Sequence, residues 1–356
     1  MPKPSLLFSC LLSALLVACM PPATRPAPTP SASATASVSP GSETPISRVS
    51  TLADQRQGIG QPRGLALDRA GTFYLSSDHQ ILRVDAGCVR SFAGGSAGFA
   101  DGKGSAARFS SPAALDFDSR GNLYVADAAN HRIRKISPSG EVSTLSGGAA
   151  GYADGPLALA RFFNPKGLAV DDDDNLYVSE GSTNAYHIRK ITPAGDVSTL
   201  AGGAEGQADG QGRSAAFLQP QGLAVDGQGV VFVVDAGNHR IRRIAPDGTV
   251  TTLAGSRQGH ADGSGEAALF NWPADLALDP QTGYLYVSEF NGNCIRQITP
   301  GGVVTTLLSA VGRQDGPLSQ ARISGPDGLQ ISPAGALYFL DSFNRALRKL
   351  SFATGS

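Results

Sequence analysis

A Pro-x-Gly-Leu anchor recurs at Pro62, Pro112, Pro165, Pro220, Pro273 and Pro326, with Ala114 and Asp275 replacing the glycine in the second and fifth copies. The steps of 50, 53, 55, 53 and 53 residues constrain the fold more than any other feature of the chain. A fixed period of this size means one supersecondary unit written repeatedly, each copy burying its apolar face against the next. Each copy holds four short apolar runs. The first follows the proline, as in Gly167 to Asp171; the second is Leu123 to Asp127, Leu176 to Glu180 or Leu285 to Glu289. The third is Arg132 to Ile136 or Arg240 to Ile244, and the fourth is Val142 to Gly148 or Val197 to Gly203. Gly, Asn, Asp and Pro separate the runs, and none has a helical period of useful length, so all four are read as strands. Four strands in every ~50 residues describe a propeller blade. The expected fold is all-β: a six-bladed β-propeller of four-stranded antiparallel blades.

These residues resemble the NHL-repeat family, in the longer-looped form of bacterial exported proteins, across residues 46–356. The last copy stops after its third run, at Leu347 to Leu350, and a spare fourth run, Val49 to Leu52, precedes the first copy. The N-terminal strand is therefore expected to complete blade six and close the ring, hiding the edges of an open sheet.

Residues 1–45 read as an address. Lys3 is followed by a mostly apolar run from Leu6 to Ala18, too short for a membrane helix of about 20 residues and suited to a signal peptide over residues 1–18. Leu16-Val17-Ala18-Cys19 resembles the lipobox of bacterial lipoproteins, which implies cleavage before Cys19 and lipidation of its sulfur; the alternative is an ordinary cysteine in an apolar leader. Several acyl chains would hold the chain stably at a membrane. Met20, where that family uses Asp for inner-membrane retention, implies the outer membrane. Pro, Ala, Ser and Thr fill 21 of positions 20–45, so residues 19–45 are read as a disordered tether that could reach roughly 80 Å when extended.

Composition excludes some functions. With 29 basic and 30 acidic residues the net charge is −1, which lacks the basic excess of a nucleic-acid binder. Four cysteines do not make a disulfide scaffold. Cys88 and Cys294 fall in blades one and five, which are not neighbours, so no bridge between them is expected, and Cys294 is read as a free thiol.

Two motifs repeat uniformly and are read as structural. The first pairs the acid ending the second strand with the Arg of the third: Asp127 with Arg134, Glu180 with Arg189, Asp235 with Arg242, Glu289 with Arg296, and Asp341 with Arg348. Across a hairpin these should lie roughly opposite each other. Blade one has Ser77 and Leu82 instead, with a shifted Asp78–Arg83 pair as a substitute. The second is an Ala-Asp-Gly loop on the top face, written Gln-Asp-Gly at Asp315. Asp101, Asp154, Asp209, Asp262 and Asp315 each stand eight residues before Phe109, Phe162, Phe217, Phe270 and Ile323, expected to be buried plugs. Blade one lacks this loop. The Asp171 to Asp174 run lies in a bottom-face turn, with a calcium site as the competing reading.

Binding should reside where blades differ. The residue after each proline should enter the innermost strand near the channel mouth, and it varies: Arg63, Ala113, Lys166, Gln221, Ala274 and Asp327. Blade five adds Asp275 and the single Trp272, and blade three adds Phe163. A mixed-charge mouth with an aromatic wall suits a polar ligand such as a glycan or peptide segment; the competing reading packs Trp272 under its own loop. The Gly181 to His187 loop, two residues longer than its equivalents, and the Phe290 to Asn293 loop could shape the same face.

Six-bladed relatives include zinc lyases and lactonases with a central cation. Here the five His are His79, His131, His187, His239 and His260; none forms a compact HxH or HExxH spacing, and no GxSxG elbow occurs. His131 and His239 share one repeat position. A zinc site assembled from separate blades and a hard-cation site of Asp275, Asp327 and Gln221 stay open alternatives; otherwise no cofactor is expected. The reading is a monomeric, lipid-anchored, non-catalytic platform for an envelope protein or glycan, touching the membrane only through its anchor. The alternatives are a metal-dependent hydrolase or lyase at the channel mouth and a purely structural envelope protein.

Overall fold

The computed structural model describes residues 47–353 apart from 183–184; the leader, Cys19 and the tether lie outside the described residues. Six antiparallel sheets follow one another, and each blade's inner strand begins at its anchor proline: Pro62–Leu67, Pro112–Phe117, Leu168–Val170 (three residues after Pro165), Pro220–Val225, Pro273–Leu278 and Pro326–Ile331. The inner strand of blade six lies beside that of blade one, so the ring is closed. Among the described residues the helices are short 3-10 turns. The chain is a six-bladed β-propeller.

The anchor glycine has a local cause. A Cβ on Gly64 would stand 2.4 Å from the carbonyl oxygen of Ala113 in blade two, and one on Gly167 would stand 2.1 Å from that of Gln221 in blade four. Neighbouring inner strands approach too closely for a side chain there. Ser76 and Ser179 donate to those same carbonyls at 2.7 and 2.6 Å. The apolar core is divided into six clusters, each lying between two adjacent blades, such as Ala126, Ile133, Phe162 and Val178 between blades two and three.

Blades two to six carry a fifth strand that the four-run repeat does not announce. The Ala-Asp-Gly segment leaves the top face, and its glycine and the following residue pair with the fourth strand at the blade's outer edge, as Gly102–Lys103 does with Glu141–Gly147. This crossing joins the two uniform motifs into one unit. Arg134, Arg189, Arg242, Arg296 and Arg348 are fully buried. Each is clamped between the acid ending strand two (2.5–2.8 Å in blades two, four, five and six, with Glu180 bound to Arg189 in blade three) and the Ala-Asp-Gly aspartate (2.6–2.8 Å). Two loop carbonyls accept from the same guanidinium, Arg108 and Ala100 in blade two. The buried plugs lie beneath: Phe109, Phe162, Phe217 and Phe270 centre 5.0–5.2 Å from the guanidinium carbon. In blade six the plug is Ile323, and Arg348 faces Phe339 instead.

Three expectations are corrected. The acid and Arg are diagonal rather than opposite: Asp127 faces Arg132, and Arg134 faces Val125. Side chains two positions apart share a sheet face, and a guanidinium spans that diagonal. Arg83 pairs with Asp85 at 3.7 Å, while Asp78 accepts from the Gln61 amide, so no shifted Asp78–Arg83 pair forms. Gly181, Ser182 and Ala185 to His187, expected in a longer loop, instead extend the hairpin, with strands Leu176–Ser182 and Ala185–Ile191 in register.

The N-terminal strand Arg48–Asp54 pairs with Ala346–Ser351 and, on its other side, with Gly316–Pro317. Its Thr51 donates from both N and Oγ1 to Asp315, as Thr144 does to Asp101 and Thr252 to Asp209. The strand thus occupies the fourth place of blade six in full chemical detail.

Two outcomes test this architecture. Deleting residues through Asp54 should lower the melting temperature and expose the Ala346–Ser351 edge, read as self-association; a monomeric chain with an unchanged melt would overturn the closing role. Arg242→Leu strands buried Asp235 and should cost about 3–5 kcal/mol in urea unfolding, against less than about 1 kcal/mol for Asp209→Asn at the half-exposed end of the clamp. Adding Asp235→Ser to Arg242→Leu, which copies blade one, should recover much of the loss.

Candidate functional site

The inner strands surround a cavity of about 1060 Å³ on the propeller axis. Arg63, Lys166, Gln221, Asp275 and Asp327 all line it, as do Ala113 and Ala274, so the position after each proline faces the cavity in all six blades. Consecutive residues such as Ala274 and Asp275 both line it, because the pairing of the inner strand shifts register just after the proline.

Asp116 also lines the cavity and was not among the expected residues; Arg243 and, from the turns that follow the inner strands, Asp171, Asp172, Asp226 and Asp279 line it too. The signal for Asp116 stood in the repeat: four residues after the anchor proline the copies read Ala66, Asp116, Ala169, Ala224, Ala277 and Gln330. Asp116 accepts from the amides of Phe117 at 2.8 Å and of Val170 in blade three at 2.9 Å. Asp275 accepts from Leu329 of blade six at 2.7 Å, and its own amide donates to Ser288 Oγ. Asp327 accepts from the Gly328 amide at 3.0 Å. Asp116 and Asp275 thus bridge successive blades and charge the cavity at once.

Protein surrounds these half-buried carboxyls on every side but the cavity's, and this sets their titration. Burial pushes Asp116 up to about 6. Burial also pushes Asp275 up to about 6, with the Asp116 charge adding to the rise. Burial raises Asp327 furthest, to about 7, with Asp275 adding and Arg63 and Lys166 opposing. Burial lowers Lys166, as does the Arg63 charge, against the pull of Asp327. The cavity is a site where small changes of pH or ligand charge alter ionisation.

Phe163 and Trp272 do not wall this cavity. Each stands on the blade rim against a histidine of the preceding blade: Phe163 against His131 with ring centroids 5.1 Å apart, and Trp272 against His239 at 5.9 Å. The same histidines accept, through Nδ1, the amides of Asn164 and Trp272 at 3.0 and 3.2 Å. His79 does this for Ser111, and Asn293 Oδ1 does it for Gly325. Ser111, Asn164, Trp272 and Gly325 all have left-handed φ of 49–59°, which aims each amide back at the preceding blade. The shared position of His131 and His239 is thereby an inter-blade latch, and both rings must be neutral at Nδ1 to accept. Burial lowers both.

The Asp171 to Asp174 run is committed to its own turn. Asp171 accepts from the amides of Asp173 and Asn175, from Asn175 Nδ2 and from Tyr177 Oη. Asp174 accepts from the amide and hydroxyl of Ser119 in blade two.

The NHL-repeat model matches residues 109–136 and 217–244, from the Phe plug through the third strand of blades two and four. NHL repeat-containing protein 2 of Gallus gallus is 25% identical over 340 residues, covering 82% of this chain and 46% of its own length, so the chain spans about half of that relative. Among solved structures, an auxiliary nutrient binding protein from Bacteroides ovatus shares the fold with a TM-score of 0.64 at 16% identity, covering 86% of this chain and 77% of that one. A gluconolactonase from Xanthomonas campestris shares it with a TM-score of 0.60 at 15% identity, covering 87% and 95%. At these identities the two structures speak for the fold alone. Blades two and four match the NHL-repeat model, and the chain is a six-bladed β-propeller whose other blades repeat the same sequence pattern.

Proposed function

We propose that this propeller is an exported, lipid-anchored binding protein of the bacterial envelope that takes a polar segment of a glycan or peptide into its central cavity from the top face, without chemistry on it. One observation carries the reading. The framework positions repeat almost unchanged, while the cavity-facing positions read Arg63, Lys166, Gln221, Asp275 and Asp327. A mixed set of charges converging on a concave surface is what recognition of a polar ligand needs. The nutrient-binding description of the Bacteroides ovatus protein supports a binding role. Anchoring rests on Cys19 and the tether that follows it.

A second reading, a metal-dependent hydrolase or lyase, has its own support in the three carboxyls Asp116, Asp275 and Asp327 around one cavity and in the gluconolactonase of the same fold. Asp275, Asp327 and Gln221, as oxygen donors, are of the type a hard cation takes.

The charge of the cavity gives the test. Lowering the pH from about 8 to about 5 neutralises Asp116, Asp275 and Asp327, which makes the lining around Arg63 and Lys166 more positive by up to three charges. On glycan and peptide arrays the wild type should therefore retain acidic ligands at about pH 5.5 and release them, by about tenfold in affinity, at about pH 8. Arg63→Ala with Lys166→Ala should abolish this retention. Binding that ignores both pH and the double variant would remove the cavity as the site. A stoichiometric cavity metal, with lactone hydrolysis lost in Asp275→Asn, would favour the second reading. For the anchor, labelled palmitate should enter the wild-type protein in a bacterial host and not Cys19→Ala; equal labelling of both would refute lipidation at Cys19.

A further inference from the structure

In blades two to five, the residue preceding the Ala-Asp-Gly alanine meets the third-strand residue that stands two before the buried arginine. In blade two this is Phe99 beneath Arg132, with the guanidinium carbon 3.8 Å from the ring centre. In blade three Tyr152 stacks on His187 with centroids 4.1 Å apart, and in blade four Arg240 reaches the Gln207 carbonyl. Blade five fills the two positions with His260 and Cys294, and Nδ1 stands 3.9 Å from Sγ. Directly across the hairpin from Cys294 is Glu289. The His nitrogen, the thiol sulfur and a carboxylate oxygen all lie within 4.8 Å of one another.

We propose that His260, Cys294 and Glu289 form a binding site for a zinc-class divalent cation on the flank of blade five, separate from the central cavity. Thiolate, imidazole and carboxylate together are the donor set of such ions. Zn–S and Zn–N bonds of about 2.3 and 2.05 Å at a tetrahedral angle place the two donor atoms roughly 3.6 Å apart, a few tenths of an ångström from the distance already present. The carboxylate is held in place: Glu289 Oε1 accepts from Arg296 Nη1 at 2.5 Å and Oε2 from the Asn271 amide at 2.6 Å. Each oxygen keeps a lone pair, and hydrogen-bonded ligating carboxylates are the rule around metals. Cys294 is a free, buried thiol, and His260 is exposed, so an ion enters from solvent under the imidazole and keeps one position for water. Binding replaces the thiol proton: the S–H bond breaks, the sulfur–metal bond forms, and the proton leaves to water. Arg296 and the ion together carry three positive charges, and Glu289, Asp262 and the Cys294 thiolate supply three negative ones.

The test is a cobalt titration of the reduced full-length chain, with zinc competing. The wild type should develop thiolate-to-cobalt charge-transfer absorption that saturates at one equivalent and is erased by zinc, and zinc should shield Cys294 from alkylation. Cys294→Ala should lose the absorption, and His260→Ala, which changes an exposed side chain and leaves the core intact, should weaken zinc binding at least about tenfold. No charge-transfer absorption in the wild type, its survival in Cys294→Ala, or undiminished affinity in His260→Ala would each overturn the site.

Discussion

The buried guanidinium of the third strand is the contact around which each of blades two to six is assembled. It is taken wholly out of water, a cost recovered only when counter-charges and hydrogen bonds surround it. The inner acid comes from strand two, the outer aspartate and two carbonyls from the preceding inter-blade segment, and an aromatic ring lies against it in all five blades. That segment must cross the top of the blade to deliver them. Having crossed, it is placed to add a fifth strand and to receive the fourth-strand threonine. A loop, an edge strand and a plug are thus consequences of one desolvated cation.

Blade one shows the same logic with the cation removed. Arg becomes Leu82, the acid becomes Ser77, the plug becomes Ile59, and the Ala-Asp-Gly segment is absent. Leu82, Ile59 and Leu65 are buried together in one apolar cluster with Ala53 and Leu347. A buried ion pair and a well-packed apolar group of similar volume are often interchangeable in stability, whereas half of either is not. All the parts are therefore missing from blade one together. The space that the segment would fill holds a short turn after the N-terminal strand, whose Asp54 is bound by Arg56 and by Arg313 of the neighbouring loop.

Much of this was legible because repetition converts sequence into geometry. Six anchor prolines gave the number of blades, and the spare Val49 to Leu52 run gave the closure, since each rests on spacing and strand period alone. The fifth strands were not legible, because two residues pairing at an edge leave no period to detect. The joining of two motifs was hidden by distance in sequence: Asp101 and Arg134 are 33 residues apart and meet only after the chain has laid down three strands between them. The local fixing of Trp272 was hidden for a related reason. A lone tryptophan beside a candidate mouth reads as a ligand platform, but its left-handed backbone and the His239 latch hold it to the rim.

Asp116 and Asp275 show why framework and site cannot be wholly separated in this ring. Each spends hydrogen-bonding capacity on the next blade's inner strand, Asp116 on Val170 and Asp275 on Leu329. The two blades concerned, two and five, are those whose anchor glycine is replaced, by Ala114 and by Asp275 itself. Where the anchor Gly-Ser contact between strands is altered, a carboxylate supplies the bridge instead. The bridge carries charge into the cavity, and because the amides it accepts from favour the ionised form while burial opposes it, the carboxyl titrates well above its ordinary range. A departure from the repeat that restores inter-blade bonding therefore also creates the cavity's responsive chemistry.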